Sequence, residues 1–172
     1  MSFTVKQPEY DFVKKYAAYG DLDMVMKLVS GGEVDIDYRD PMGGVSAIFL
    51  AACHGYIDMV RFLLENNADP NLQDRWGDTA LSMAVANGHN EVVNMLLKYS
   101  ADPNVKNEEG RTPFLWAVIN NRPQLIKTLL QHGADPNVAD NDGLDGLKWA
   151  EKLKHRHLQD DLNDATSEVV SV

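Results

Sequence analysis

The sequence predicts an all-α solenoid of stacked helix-turn-helix units, each followed by a projecting β-hairpin-like loop. Gly44, Gly77, Gly110 and Gly143 stand 33 residues apart, and Ala51, Ala84, Ala117 and Ala150 keep the same step. A fixed step of that length is the mark of a repeat array. The unit tails fall in register too: Ala68-Asp69-Pro70-Asn71, Ala101-Asp102-Pro103-Asn104 and Ala134-Asp135-Pro136-Asn137. Within the units, apolar pairs recur one helical turn apart: Met59-Val60 with Leu63-Leu64, Val92-Val93 with Leu96-Leu97, and Leu125-Ile126 with Leu129-Leu130. That stripe belongs to a half-buried helix.

Five units account for residues 11–39, 40–73, 74–106, 107–139 and 140–163, after an N-terminal extension (1–10) and before a flexible C-terminal tail (164–172). The first unit is irregular: Gly20 lies 35 residues before Gly55, with the extra length between Gly31 and Gly43. Ser46, Thr79, Thr112 and Asp145 share one register position, with Asp11 at the same place in the first unit. Their side-chain oxygens suit the free N–H groups at a helix start. Pro113 follows its cap at the first helical position, where a missing N–H costs nothing. A short apolar helix such as Ile48-Phe49-Leu50-Ala51-Ala52 follows, and a second helix begins after Gly55 or Gly88. Met24-Val25 with Leu28-Val29 makes the second helix of the first unit, and Pro123 falls in the first turn of its helix, where proline is tolerated. Asn67, Ser100 and Gly133 end second helices, and the Asp-Pro-Asn segments turn the chain outward.

One such unit has too few apolar side chains to offset the entropy of ordering its backbone, so neighbours must share interfaces and the end units need polar outer sides. Both ends meet this requirement. At the positions of Val60 and Leu64 the last unit carries Gln159 and Asn163, while Leu158 and Leu162 keep its inward side apolar. Lys15 replaces the apolar residue found at Leu50, Met83, Trp116 and Trp149. The array is therefore expected to be complete. A solenoid built this way is expected to offer one long surface rather than a single cavity, which suits holding a macromolecule.

The runs Asp74-Arg75-Trp76-Gly77-Asp78-Thr79-Ala80-Leu81, Gly88-His89, Gly110-Arg111-Thr112-Pro113-Phe114 and Gly133-Ala134-Asp135-Pro136-Asn137 resemble the ankyrin repeat over roughly residues 8 to 163. The chain departs from the Thr-Pro-Leu-His pattern at Ser46-Ala47-Ile48-Phe49, Thr79-Ala80-Leu81-Ser82 and Thr112-Pro113-Phe114-Leu115. At Phe49 and Leu115, packing is expected to replace the histidine hydrogen bonds that tie one repeat to the next. The resemblance implies an ankyrin-repeat solenoid with finger loops and first helices on a concave face. It also implies a protein-binding module, since members of the family mostly bind proteins, while the fold by itself selects no partner. Two roles stay open: an adaptor or scaffold, and an inhibitor that clamps an enzyme such as a protein kinase. The small ankyrin-repeat kinase inhibitors shorten the first helix of the second repeat, whereas Ser46 to Cys53 here is full length. Asn71, Asn104 and Asn137 match the hairpin asparagine that asparaginyl hydroxylases modify in some ankyrin repeats.

Composition narrows the function. A formal charge of −10 and a pI near 4.8 disfavour nucleic acid and acidic membranes, and point to a neutral or basic protein partner, in the free state or within a larger complex. The single cysteine, Cys53, permits no internal disulfide. With no hydrophobic signal core and no apolar run of membrane-spanning length, a cytoplasmic location is expected, with nuclear or cytoskeletal placement also open. The repeats fill almost all of the 172 residues, which predicts a non-enzyme with no cofactor. His54, His89 and His132 lie on separate units, and His155 and His157 are too close in a helix to share a face, so no metal site is expected.

The residues left over by the fold are the candidates for partner contact. Finger tips supply Met42, Val45, Arg75, Trp76, Asp78, Glu108, Glu109, Arg111, Asn141, Asp142 and Leu144; the ends of the first helices add Tyr19, His54, Asn87 and Asn120. Trp76 leads, because a large aromatic beside an arginine matches the residue types that dominate binding energy. Trp116 and Trp149 take the slot of Leu50 and Met83 and are assigned to the core. The C-terminal Val170-Ser171-Val172 could add as a strand to a PDZ-type groove.

Overall fold

The computed structural model describes residues 10–32, 34–40, 42–159 and 162–163. Nine helices follow in order among them: α1 (Tyr10–Tyr19), α2 (Leu22–Ser30), α3 (Ala47–His54), α4 (Ile57–Glu65), α5 (Ala80–Asn87), α6 (Asn90–Lys98), α7 (Pro113–Ile119), α8 (Pro123–Gln131) and α9 (Gly146–Lys152). Residues 156–159 and 162–163 are helical as well. Odd-numbered helices pack in one row, α1 on α3, α5, α7 and α9 in turn, and even-numbered helices α2, α4, α6 and α8 form a second row behind it. The architecture is the all-α repeat solenoid that the spacing predicts.

The caps explain where the first helices begin. Ser46, Thr79, Thr112 and Asp145 hold extended backbone and accept from the N–H groups of Phe49, Ser82, Leu115 and Lys148. Ser82 answers Thr79 with a reciprocal bond, completing a capping box. Asp11 departs from this pattern. Helix α1 already includes Tyr10, so Asp11 lies inside the first turn rather than before it.

A left-handed residue sits between the helices of each pair, where the chain must reverse: Gly55 (φ 77°), Gly88 (φ 80°), Asn121 (φ 54°) and Lys154 (φ 60°), each 33 residues after the last. Asn67, Ser100 and Gly133 adopt the same conformation just beyond α4, α6 and α8. At Gly77 a second constraint applies. A Cβ there would stand 2.9 Å from the Asn107 Cα of the next finger, so only glycine lets the two loops touch.

One continuous core runs between the two helix rows. Val25, Ile48, Leu63, Leu81, Leu96, Phe114, Leu129 and Leu158 are buried, and the alanines Ala17, Ala51, Ala84, Ala117 and Ala150 let neighbouring first helices approach. Phe49 and Leu115 are buried where the family pattern has histidine. Ser82 instead shares its hydroxyl between Thr79 O at 2.9 Å and the Asp78 carboxylate at 3.3 Å. At the ends, Lys15 is exposed, Leu158 and Leu162 are buried, and Gln159 and Asn163 are partly or fully exposed. The proposed PDZ-type tail, and most of the N-terminal extension, lie outside the described residues.

Candidate functional site

Each finger is closed by its own acid or amide, three residues before the finger glycine. Asp74 Oδ1 accepts from the N–H groups of Trp76 and Asp78, both at 2.9 Å; Asn107 Oδ1 accepts from Glu109 and Arg111; Asp140 Oδ1 accepts from Asp142 and Leu144. Asp40 does the same for the longer first finger through Met42 and Gly43. These four residues were missed as determinants of the site, although Asp or Asn ahead of a turn glycine was a legible signal. Fingers then join edge to edge through backbone bonds: Arg75 N to Gly43 O (2.9 Å), Glu108 N to Trp76 O (2.8 Å) and Asn141 N to Glu109 O (3.0 Å). The loops therefore stand as one connected sheet-like row facing the first helices.

Between that row and helices α3, α5 and α7 lies a hollow of about 510 Å³. The long surface expected of a solenoid is thus interrupted by a recess on this face. Its floor is apolar: Phe49, Leu50, Met83 and Trp116, with Val45 and Trp76 on the finger side. Its remaining lining is Asp74, Asp78, Asn107, Glu108 and Glu109. Trp116 therefore does not sit in the core. It is half-buried, and its indole Nε1–H donates to Asp78 Oδ1 at 3.3 Å, because the ring needs a polar partner that the interior does not supply. Trp149 does lie in the buried set, with its Nε1–H donating to Asp140 Oδ2 at 2.9 Å.

Met42 (86% exposed), Trp76 (50% exposed), Arg75, Glu108, Glu109, Asn141 and Asp142 stand out at the finger tips. Tyr19, His54, Asn87 and Asn120 are exposed at the ends of the first helices. Val45, Asp78, Arg111 and Leu144, by contrast, are half-buried: each directly follows its finger glycine, where the returning strand turns the side chain inward. Arg75 lays its guanidinium 3.8 Å from the centre of the Trp76 ring, covering one face of it, and bonds Met42 O. Arg111 pairs with Glu109 and lies over Trp116 and Trp149 at 5.3 and 5.4 Å. Asn87 donates to Cys53 O and Asn120 to Trp116 O.

Burial raises the Asp78 carboxyl above its ordinary range, and bonds from Asn107, Trp116 and Ser82 offset this only in part, with the nearby Asp74 charge adding to the rise. Asp140 goes the other way. Burial alone would raise it, but the Leu144 N–H, the Trp149 indole, the Asp142 N–H and the Arg111 charge together hold it below the usual carboxylate range. The hairpin asparagines link successive tails: Asn71 Oδ1 accepts from Asp102 N and Asn104 Oδ1 from Asp135 N, at 2.8 and 2.9 Å. Asn137 is exposed, and among the described residues its side chain reaches no later tail.

The family model "Ankyrin repeats (3 copies)" matches residues 14–107, 66–140 and 100–158. The chain belongs to the ankyrin-repeat family. Similar stretches occur in serine/threonine-protein kinase 12 of Arabidopsis thaliana (38% identical over 60 residues, 35% of this chain and 13% of that protein) and in a putative ankyrin repeat protein of Rickettsia felis (40% over 62, 36% and 20%). A further one is ankyrin repeat domain-containing protein 29 of Homo sapiens (38% over 73 residues, 42% and 24%). The matches span a quarter or less of these relatives' lengths. Ankyrin repeats are non-catalytic modules for binding proteins. Among the described residues no helix is long and apolar enough to cross a membrane, and no group of three or more His, Cys, Asp or Glu is placed to hold a metal ion.

Proposed function

We propose that this chain is a non-catalytic cytoplasmic adaptor that grips a protein partner on the face shared by its fingers and first helices. One observation carries the reading: the fold leaves an apolar hollow of about 510 Å³ open on that face, with half-exposed Trp76 at its edge. Apolar recesses beside exposed aromatics concentrate binding energy, because a partner side chain seated there is largely withdrawn from water. The opposite row, α4, α6 and α8, presents polar residues such as Glu65, Asn94 and Gln131.

The test is affinity purification from the native source with the wild type, Trp76→Ala and Asn94→Ala as baits. A partner held through the hollow is retained by the wild type and Asn94→Ala and lost or weakened with Trp76→Ala. Measured with the purified partner, Trp76→Ala weakens binding by about 2 kcal/mol or more, a factor of about 30. Equal affinity for Trp76→Ala and the wild type overturns the reading. Of the three hairpin asparagines, Asn137 is the one we assign to hydroxylation, since it is exposed and, among the described residues, its side chain bridges to no later tail; an unmodified mass for the peptide carrying it contradicts this.

A further inference from the structure

The hollow is one-sided in charge. Asp74, Asp78, Glu108 and Glu109 line it, and no lysine, arginine or histidine does, although the chain carries 16 Lys and Arg. Asp74 is committed to its own finger, and Glu109 is paired with Arg111. Asp78 and Glu108 are not neutralised in this way. Asp78 is the informative one. All three of its side-chain bonds, from Asn107, Trp116 and Ser82, fall on Oδ1, and among the described residues none reaches Oδ2. Those donors are neutral, so among the described residues a half-buried carboxylate faces an apolar floor with no cation bonded to it. Burial is the chief cause of its raised pKa, with the Asp74 charge adding to it and the three neutral donors offsetting it only in part.

We propose that the hollow receives a basic side chain, lysine or arginine, from an extended segment of the partner, with its alkyl stem on Met83 and Trp116 and its cationic end at Asp78. This inference rests on the protein-binding function proposed above and names its chemistry. The fit has two parts. A lysine or arginine buries its stem along apolar surface while keeping its charged end at a polar rim. Glu108 gives the rim a second carboxylate. A recess of about 510 Å³ is larger than one such side chain requires, so apolar neighbours of the basic residue are expected to share it.

The experiment selects phage-displayed random peptides on the full chain and measures the winners by titration. Selected peptides carry a lysine or arginine next to apolar residues. Replacing that lysine with norleucine, which keeps the stem and removes the charge, weakens binding to the wild type about tenfold or more. Against Asp78→Asn, which retains an Oδ1 for Trp116 and Asn107, the same replacement changes affinity little. Glu108→Gln, at an exposed tip, serves as the second variant and lowers affinity for the basic peptide with a smaller factor. Peptides that lose binding with Trp76→Ala but carry no basic residue, or whose lysine contributes equally on Asp78→Asn, overturn the inference and leave the protein-binding function standing. Peptides indifferent to Trp76→Ala overturn both.

Discussion

Trp116, on α7, donates its indole N–H to Asp78, the residue that follows the glycine of the preceding finger, at 3.3 Å. Asn107, from the same finger row, donates to the same oxygen at 3.1 Å. One carboxylate oxygen thus ties a finger both to the next finger and to the next first helix. The bonds that hold adjacent repeats together also form the wall of the recess.

Removing the indole donor tests that link. Trp116→Phe keeps a ring in the slot but leaves Asp78 with two donors instead of three, and stability falls by about 1–2 kcal/mol. Denaturant unfolding reads this as a lower midpoint. An unchanged midpoint shows that the bond contributes nothing net.

Asp78 also makes a pH prediction. Its folded pKa lies above the ordinary carboxylate value because burial penalises the charge. The folded state therefore holds the proton to higher pH than the unfolded state, and this group's contribution to stability falls as pH rises from the ordinary value through the folded one. Asp78→Asn removes that dependence. The variant gains on the wild type as pH rises above the ordinary carboxylate value of about 4, and the gap closes on acidification. A gap that widens on acidification contradicts the assignment.

Lys154 holds a left-handed conformation (φ 60°) at the position where Gly55 and Gly88 stand in earlier repeats. A side chain in that region costs about 1–2 kcal/mol, partly offset by the greater freedom glycine has when unfolded. Lys154→Gly is therefore expected to raise stability by about 0.5–1 kcal/mol, seen as an upward shift in Tm. A lower Tm shows that the lysine side chain makes a compensating contact.

The stack stands on its shared core. Leu96 is fully buried on α6, between α4 and α8. Leu96→Ala costs about 2–5 kcal/mol, through lost transfer energy and the cavity left behind. A loss well under 1 kcal/mol, measured by chemical unfolding, argues against the packing described.

The fold was legible because each repeat writes the same constraints again. Ser46, Thr79 and Thr112 announce helix starts by their capping oxygens, and the Leu63-Leu64 type of pair announces the buried stripe. Asp11 misled because register alone cannot fix a helix end in an irregular first repeat. The finger tips were legible as exposed positions, yet Val45, Asp78, Arg111 and Leu144 turn inward. That reversal depends on the backbone bonds that close each finger, such as Asp74 N to Asp78 O, rather than on residue type. Trp116 was assigned to the core because it shares a slot with Leu50 and Met83. Its indole N–H decides otherwise, since the partner it finds lies in another repeat 38 residues away. The recess is lined by residues of three successive repeats, which is why a one-dimensional pattern did not show it.

The most direct measurement is a two-dimensional 1H–15N NMR map of the chain, titrated with its purified partner. The account predicts that the Nε1–H signals of Trp76 and Trp116 and the backbone signals of Asp78, Met83 and Glu108 shift or broaden together, while those of Glu65, Asn94 and Gln131 stay in place. Shifts concentrated on α4, α6 and α8, with both indole signals unmoved, would contradict it.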